Sequence, residues 1–300
     1  MKILLIGASG QLAQDIQLTV SESHSKDDLV PVTHAQLDIR ERERVRELMR
    51  QTRPDCVINT AAFHRVDLCE DEPENAFAVN ETGVRNVAEA AKEIGALLVQ
   101  FSTDYVFDGA KRSPYVEANS PNPQSVYAKS RLAGEKAVQQ MGGEYLLIRT
   151  CGLYGIAGSQ SKAGNFVETM LKLGAQKKPL HVVSDQVCAP TSTHELARRL
   201  LPLIRSDSRG LFHMTNTGEC SWYEFAREIF RLSKIEAQIS SCTTSEFAAK
   251  APRPAYSVLD NRAYRNAGFE DFRPWQEALA EYLALRGRAN PTLSLQRKER

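Results

Sequence analysis

An apolar run, Lys2-Ile3-Leu4-Leu5-Ile6, passes directly into Gly7-Ala8-Ser9-Gly10-Gln11-Leu12-Ala13, and a helical pattern follows to about Val20. A buried strand, a glycine turn and a helix in that order predict a βα unit, which commits the chain to a parallel sheet with helices packed on it. Glycine lets the backbone turn tightly and approach a pyrophosphate, whose charge would rest on free N–H groups at the helix start. Gly7, Gly10, Gln11 and Leu12 are therefore cofactor-binding candidates, with Ala13 in the place of a third glycine. A plain strand–helix turn could use the same residues, so the rest of the chain has to decide.

The alternation continues. Leu29 to Thr33, Asp55 to Thr60, Leu97 to Phe101 and Tyr145 to Arg149 read as further strands, and Arg40 to Gln51 as a charged helix between two of them. This order predicts an α/β fold, a Rossmann-like doubly wound parallel sheet with a smaller C-terminal α/β substrate lobe. Residues 1–150 are assigned to the NAD(P)-binding domain, to which the chain is expected to return around 180–215. Residues 151–285 would form mainly the substrate-binding lobe, with the pocket between lobes. Residues 286–300, polar and without periodicity, read as a disordered tail.

Charge and composition serve to exclude. With 42% hydrophobic and 25% charged residues the chain has the balance of a soluble globular protein, and no apolar run approaches the length of a membrane span. Met1-Lys2-Ile3-Leu4-Leu5-Ile6 reads as a first strand and not as a signal peptide. A net charge of +1 gives no reason to expect nucleic acid or a membrane surface as partner. The six cysteines lie far apart without metal-ligand spacing, so reduced thiols, a cytoplasmic location and no metal-ligating residues are expected.

Chemistry concentrates between Ser102 and Arg131. Ser102-Thr103-Asp104-Tyr105 follows a buried strand, and Ser125-Val126-Tyr127-Ala128-Lys129-Ser130-Arg131 reads as a helix start. Positions i and i+4 share a helix face, so Arg131 can reach the pocket of the Tyr127 phenol, whereas Lys129 points elsewhere. A free phenol titrates near pH 10, and an adjacent cation is expected to lower it toward the working range of a proton donor. Thr103 could hydrogen-bond a substrate oxygen as charge develops on it.

At these residues the chain resembles the extended short-chain dehydrogenase/reductase family, and within it the dTDP-4-dehydrorhamnose reductases. That resemblance implies NADPH-dependent reduction of the 4-keto group of a dTDP-linked deoxysugar, dTDP-4-dehydrorhamnose, with Thr103, Tyr127 and Arg131 as the reactive set. The family carries lysine where Arg131 stands. It also implies cofactor contacts at Asp38 and Ile39, at the small turn Ala61-Ala62-Phe63, and at Tyr127 and Arg131. The substrate side is expected at Thr103, Asp104, Tyr105, Gly152, Asn165, Gln186 and Arg253, the last as a bidentate partner for the nucleotide phosphates.

At Gly152 relatives commonly have a tryptophan that packs on the nucleotide sugar, and Tyr154 and Trp222 are the aromatics that could replace it. No acid closes the second strand, which ends at His34 with Arg40 and Arg42 close behind, and this favours NADPH with NADH also accepted. By resemblance alone, a homodimer and a Mg2+ ion at a subunit contact are allowed. Two other readings use the same scaffold. One is a non-catalytic NADP-binding regulatory subunit, like the methionine adenosyltransferase beta subunit, and the other is a nucleotide-sugar epimerase or dehydratase.

Overall fold

The computed structural model describes residues 1–23, 26–157 and 164–289. In chain order the elements begin with β1 (Lys2–Ile6), α1 (Gln11–Glu22), β2 (Asp28–Val32), α2 (Arg42–Thr52) and β3 (Cys56–Asn59). Then come α3 (Val66–Asp71), α4 (Pro73–Phe77), a π-helical turn (Ala78–Gly83) and α5 (Val84–Ile94). Next are β4 (Leu97–Thr103), a 3₁₀ turn (Asp104–Val106), α6 (Val126–Met141) and β5 (Tyr145–Thr150). The remainder is α7 (Phe166–Gly174), β6 (Leu180–Val183), β7 (Val187–Cys188), α8 (Thr193–Arg205), β8 (Gly210–His213), β9 (Cys220–Ser221), α9 (Trp222–Ser233), β10 (Ile239–Cys242), α10 (Thr244–Phe247), α11 (Arg262–Asn266) and α12 (Trp275–Ala289).

Six strands form one sheet in the order β2-β1-β3-β4-β5-β8, and every neighbouring pair is parallel. Inner strands are mainly apolar because both faces are covered, as in other parallel sheets, with buried Asn59, Gln100 and Arg149 among the exceptions. Their side chains alternate between two cores. Ile3, Leu5, Val99, Phe101 and Ile148 meet Leu12 and Ile16 of α1 and Leu196 and Leu200 of α8 on one face. Leu4, Ile6, Val57, Leu98 and Leu147 meet Met49 of α2, Val87 of α5 and Val138 of α6 on the other. Pro31 sits in β2, an edge strand, where a missing N–H costs least.

A third core lies apart from the large sheet and joins α7, α9 and α12 through Met170, Phe225, Ile229 and Leu279. Beside it β6 pairs in parallel with β10, and β7 pairs antiparallel with β9.

Within 180–215 it is β8 that joins the large sheet, against β5, and α8, left unassigned from sequence, packs with it on α1; β6 pairs elsewhere. Of the tail expected from 286, the first four residues belong to α12, which runs to Ala289, and Arg286 donates from Nε and Nη2 to the Glu168 carboxylate at 2.6 and 2.8 Å. Residues 158–163 and 290–300 lie outside the described residues. Among the described residues no helix is long and apolar enough to cross a membrane.

Candidate active site

In the sheet order the chain leaves β1 toward β2 in one direction and fills β3, β4, β5 and β8 in the other, so the crevice at a reversal of strand order opens between the C-terminal ends of β1 and β3. Gly7 stands there at φ +81°, and a Cβ on it would come within 2.7 Å of Thr60 Oγ1 and 2.9 Å of the Ala61 nitrogen. Only glycine lets these two strand ends meet. Gly10 is the N-cap of α1, with no side-chain cap, so the first N–H groups of that helix are left for another partner.

A cavity of about 720 Å³ runs across these strand ends. Gly7, Gly10, Gln11, Leu12, Ala61, Ala62 and Phe63 form its middle. Phe63 is held in place by Asn80 of the π-helical turn, whose Oδ1 accepts from the Phe63 nitrogen and whose Nδ2 donates to the Phe63 carbonyl, both at 2.9 Å. The same Nδ2 donates to Ser130 Oγ on α6 at 3.0 Å, which ties the turn to that helix. Gly134 makes this approach possible, since a Cβ there would run into the Asn80 carbonyl.

One end of the cavity is lined by His34, Asp38, Ile39, Arg40 and Asn75. Arg40 grips Asp38 with Nε on Oδ1 at 3.0 Å and Nη2 on Oδ2 at 2.6 Å, and Nη1 donates to Asn75 Oδ1 at 3.1 Å. That guanidinium holds the Asp38 carboxyl below its usual range. Arg42, by contrast, donates to Glu89 and does not line the cavity.

The other end gathers Thr103, Asp104, Tyr105, Tyr127 and Arg131. Helix α6 is anchored at its start by Ser125, whose Oγ accepts from the Ala128 nitrogen at 3.2 Å, and by Glu70, which accepts from the Val126 nitrogen at 2.8 Å. Tyr127 is its second residue. Arg131, one turn on, is buried and donates from Nη2 to the Phe101 carbonyl of β4 at 2.5 Å, while its Nη1 has no protein partner. Lys129 is exposed and outside the cavity lining.

Thr103 Oγ1 donates to Asp104 Oδ1 at 3.0 Å, and Cys151 Sγ donates to Asp104 Oδ2 at 3.0 Å. Burial raises the Asp104 carboxyl, and those same hydrogen bonds offset part of the rise. Neither partnership had a sequence signal beyond a polar residue at a strand end. The Tyr127 phenol departs from expectation: burial pushes it above its ordinary value, and the Arg131 charge and the Thr103 hydroxyl offset only part of that. A neighbouring cation was legible in the spacing, whereas the loss of solvent was not.

Gly152 lines the cavity at φ +53°, and a Cβ there would lie 3.2 Å from both Pro190 Cα and the Trp222 ring. The aromatic wall on this side is Trp222, the first residue of α9, packed on Phe166 with ring centroids 4.7 Å apart. Tyr154 is fully buried in the third core and does not line the cavity. We expect Gly152→Trp to lower the melting temperature by about 2–10 °C, from roughly 1–3 kcal/mol of left-handed backbone strain, before any clash with Trp222. A thermal melt with no shift would show that residue 152 does not hold the left-handed backbone described.

Asn165 also lines the cavity, but its side chain caps α7, accepting from the Glu168 nitrogen at 3.1 Å and donating to the Gly155 carbonyl at 2.9 Å. Gln186 and Arg253 do not line the cavity. Gln186 donates to Thr244 Oγ1 at 2.9 Å, and Arg253 pairs with the Asp67 carboxylate at 2.9 and 3.1 Å. Phe166, Ser102, Thr150 and Cys151, none of them a site candidate from sequence, also line the walls, together with Trp222, one of the two aromatics the sequence offered. Among the described residues no group of three or more His, Cys, Asp or Glu side chains could hold a metal ion.

Residues 1–286 match the family model described as the RmlD substrate binding domain. The spore coat polysaccharide biosynthesis protein SpsK of Bacillus subtilis is 42% identical over 96% of this chain and 99% of its own length. The crystal structure of a dTDP-4-dehydrorhamnose reductase from Clostridium acetobutylicum is 43% identical, covering 95% of this chain and 99% of that one, with a TM-score of 0.90. A dTDP-4-dehydrorhamnose reductase from Bacillus anthracis, solved in complex with NADP, is 35% identical over 94% of this chain and 98% of its own, also with a TM-score of 0.90.

Proposed function

The chain belongs to the RmlD family of dTDP-4-dehydrorhamnose reductases, and from that membership we propose that it reduces the 4-keto group of dTDP-4-dehydrorhamnose to give dTDP-L-rhamnose, with NADPH as reductant. The observation that carries the reading is the convergence of Thr103, Tyr127 and Arg131 at one end of a cavity whose middle is the glycine turn at the start of α1. The residues fit a dinucleotide: Gly10 leaves the first N–H groups of α1 open to the cavity, and two buried polar atoms beside Tyr127, Ser102 Oγ and Arg131 Nη1, have no protein partner. The regulatory-subunit and epimerase or dehydratase readings gain nothing from the two solved relatives above, both named as reductases.

When bound, the reduced nicotinamide supplies a hydride to the sugar's C4. Tyr127 gives its phenolic proton to the C4 oxygen, so the ketone becomes an alcohol and the phenol a phenolate. Arg131 stabilises that phenolate with its positive charge. Thr103 turns its hydroxyl from Asp104 toward the same oxygen, and Asp104 takes the proton donor of Cys151 in either case. Trp222 offers the sugar or base a flat apolar face. The direct test is to mix the purified protein with NADPH and the dTDP-linked 4-keto sugar and follow cofactor absorbance. Sugar-dependent loss of absorbance is expected, and its absence under conditions where NADPH binds would overturn the reading.

Cofactor choice should follow from the His34–Arg40 end. The residue that follows β2 toward this end is His34 and not an acid, the Asp38 carboxylate here is already paired with Arg40, and Arg40 is exposed at the cavity wall. We expect NADPH to bind at least as tightly as NADH, and Arg40→Ala to weaken NADPH about tenfold, the order of one charge-assisted hydrogen bond, with NADH little changed. Fluorescence titration of both cofactors against both proteins checks this, and a clear preference for NADH in the unmutated chain would defeat it.

A further inference from the structure

Buried polar atoms almost always have a partner, so those without one mark places where something else belongs. Four such atoms line the one cavity: Gln11 Oε1, Ser102 Oγ, Arg131 Nη1 and Thr150 Oγ1. Ser102 and Arg131 lie on the Tyr127 side and are used above. Gln11 and Thr150 are not, and their chemistry is more specific. Thr150 ends β5 and is the register partner of Thr103 at the end of β4, so the two hydroxyls share the sheet face that packs on α1. Gln11 is the first residue of α1, and its Nε2 donates to the Leu153 carbonyl at 3.1 Å, three residues beyond Thr150. That bond fixes the amide, because its nitrogen must face a carbonyl and its oxygen is the atom left over.

The pair therefore offers one atom that can only accept, held in place by the Leu153 bond, and one hydroxyl free to donate, neither with a protein partner. A planar group with an acceptor and an N–H donor on one carbon, a primary carboxamide, meets both requirements. We propose that Gln11 Oε1 and Thr150 Oγ1 clamp the carboxamide of the nicotinamide, Gln11 accepting from its N–H and Thr150 donating to its oxygen. The assignment rests on the reductase reading. It also gives that reading a geometric control, since a held carboxamide fixes which face of the ring looks toward Thr103 and Tyr127.

Three ligands separate the contacts on the full chain: NADP+, its 3-acetylpyridine analogue, which keeps the carbonyl but replaces the amide nitrogen with methyl, and 2′-phospho-ADP-ribose, which has no pyridine ring. The unmutated protein should bind NADP+ about tenfold more tightly than the analogue, the worth of one buried hydrogen bond. Gln11→Met should erase that preference to within about twofold, because the acceptor for the amide N–H is gone. Gln11→Glu keeps an acceptor while losing the bond to Leu153, so the preference should persist even if all three ligands weaken together.

Thr150→Val should weaken NADP+ and the analogue alike by about tenfold and leave 2′-phospho-ADP-ribose unchanged, which also shows that the variant is folded. A preference that survives Gln11→Met, or a Thr150→Val variant that raises KM for the sugar while binding NADP+ normally, would overturn the clamp and leave the reductase reading standing. Failure of the unmutated chain to bind any of the three ligands would overturn both.

Discussion

Tyr127→Phe is expected to lower kcat about a thousandfold, within the range of general acid catalysis, while the dissociation constant for NADPH changes by less than about threefold. Phenylalanine keeps the ring that meets Tyr105 edge-on at 6.0 Å and removes only the proton that the C4 oxygen needs. Stopped-flow turnover and a cofactor titration on the same preparation separate the two effects. The phenol's raised pKa adds a second expectation. Burial holds Tyr127 protonated, its donor form, above the ordinary value near 10. Rising pH removes that proton only once it passes the raised value, so the reductive rate should show no Tyr127-dependent fall between neutrality and about pH 10. A fall in that window that disappears in the phenylalanine variant would contradict the burial argument.

Arg131 should separate charge from shape. Arg131→Met removes the cation beside Tyr127 and its buried Nη2 bond to the Phe101 carbonyl, which keeps only the Gln100 Nε2 donor. A loss of about a hundredfold or more in kcat is expected, since both a transition-state charge and a buried hydrogen bond disappear. Arg131→Lys keeps the charge but gathers its donors on one nitrogen, which cannot reach both the Phe101 carbonyl and the position of the unpartnered Nη1. Its kcat should stay within about tenfold, roughly 1.4 kcal/mol of barrier, and its cost should fall mainly on cofactor affinity. Should the unmutated protein bind NADPH yet reduce no dTDP-linked keto sugar, and Arg131→Lys restore turnover, the arginine would mark a retired site and the regulatory reading would stand.

What could be read in the sequence was local. The βα start showed because four apolar residues meet a glycine turn and a helical period, and the Tyr127–Arg131 pair because i and i+4 share a face behind a serine cap. What could not be read joins distant parts of the chain. Phe101 offers its carbonyl to Arg131 thirty residues on, and Asn80 links Phe63 to Ser130 fifty residues on, with no period to announce either contact. The aromatic near Gly152 had two candidates in sequence, and only packing separates Trp222 on the cavity wall from Tyr154 in a core. The Ser221–Glu224 capping box starts α9 and sets Trp222 at the helix start. Solvent exclusion was equally invisible, and it reverses the expected direction of the Tyr127 shift.

The sixth strand has a consequence for biogenesis. β8 completes the sheet against β5, and α8 covers α1, whose own residues lie nearly two hundred positions earlier. A ribosome releases the first five strands while the edge of β5 and one flank of α1 still lack their partners. Exposed edges and apolar flanks of that kind invite pairing with other chains. The nascent protein must stay out of such encounters until residue 213 has cleared the tunnel. The glycine turn, although first to be made, therefore gains its final support among the last. Cofactor binding during synthesis would favour the finished sheet over these unfinished ones, which makes the small molecule a partner in assembly as well as in chemistry.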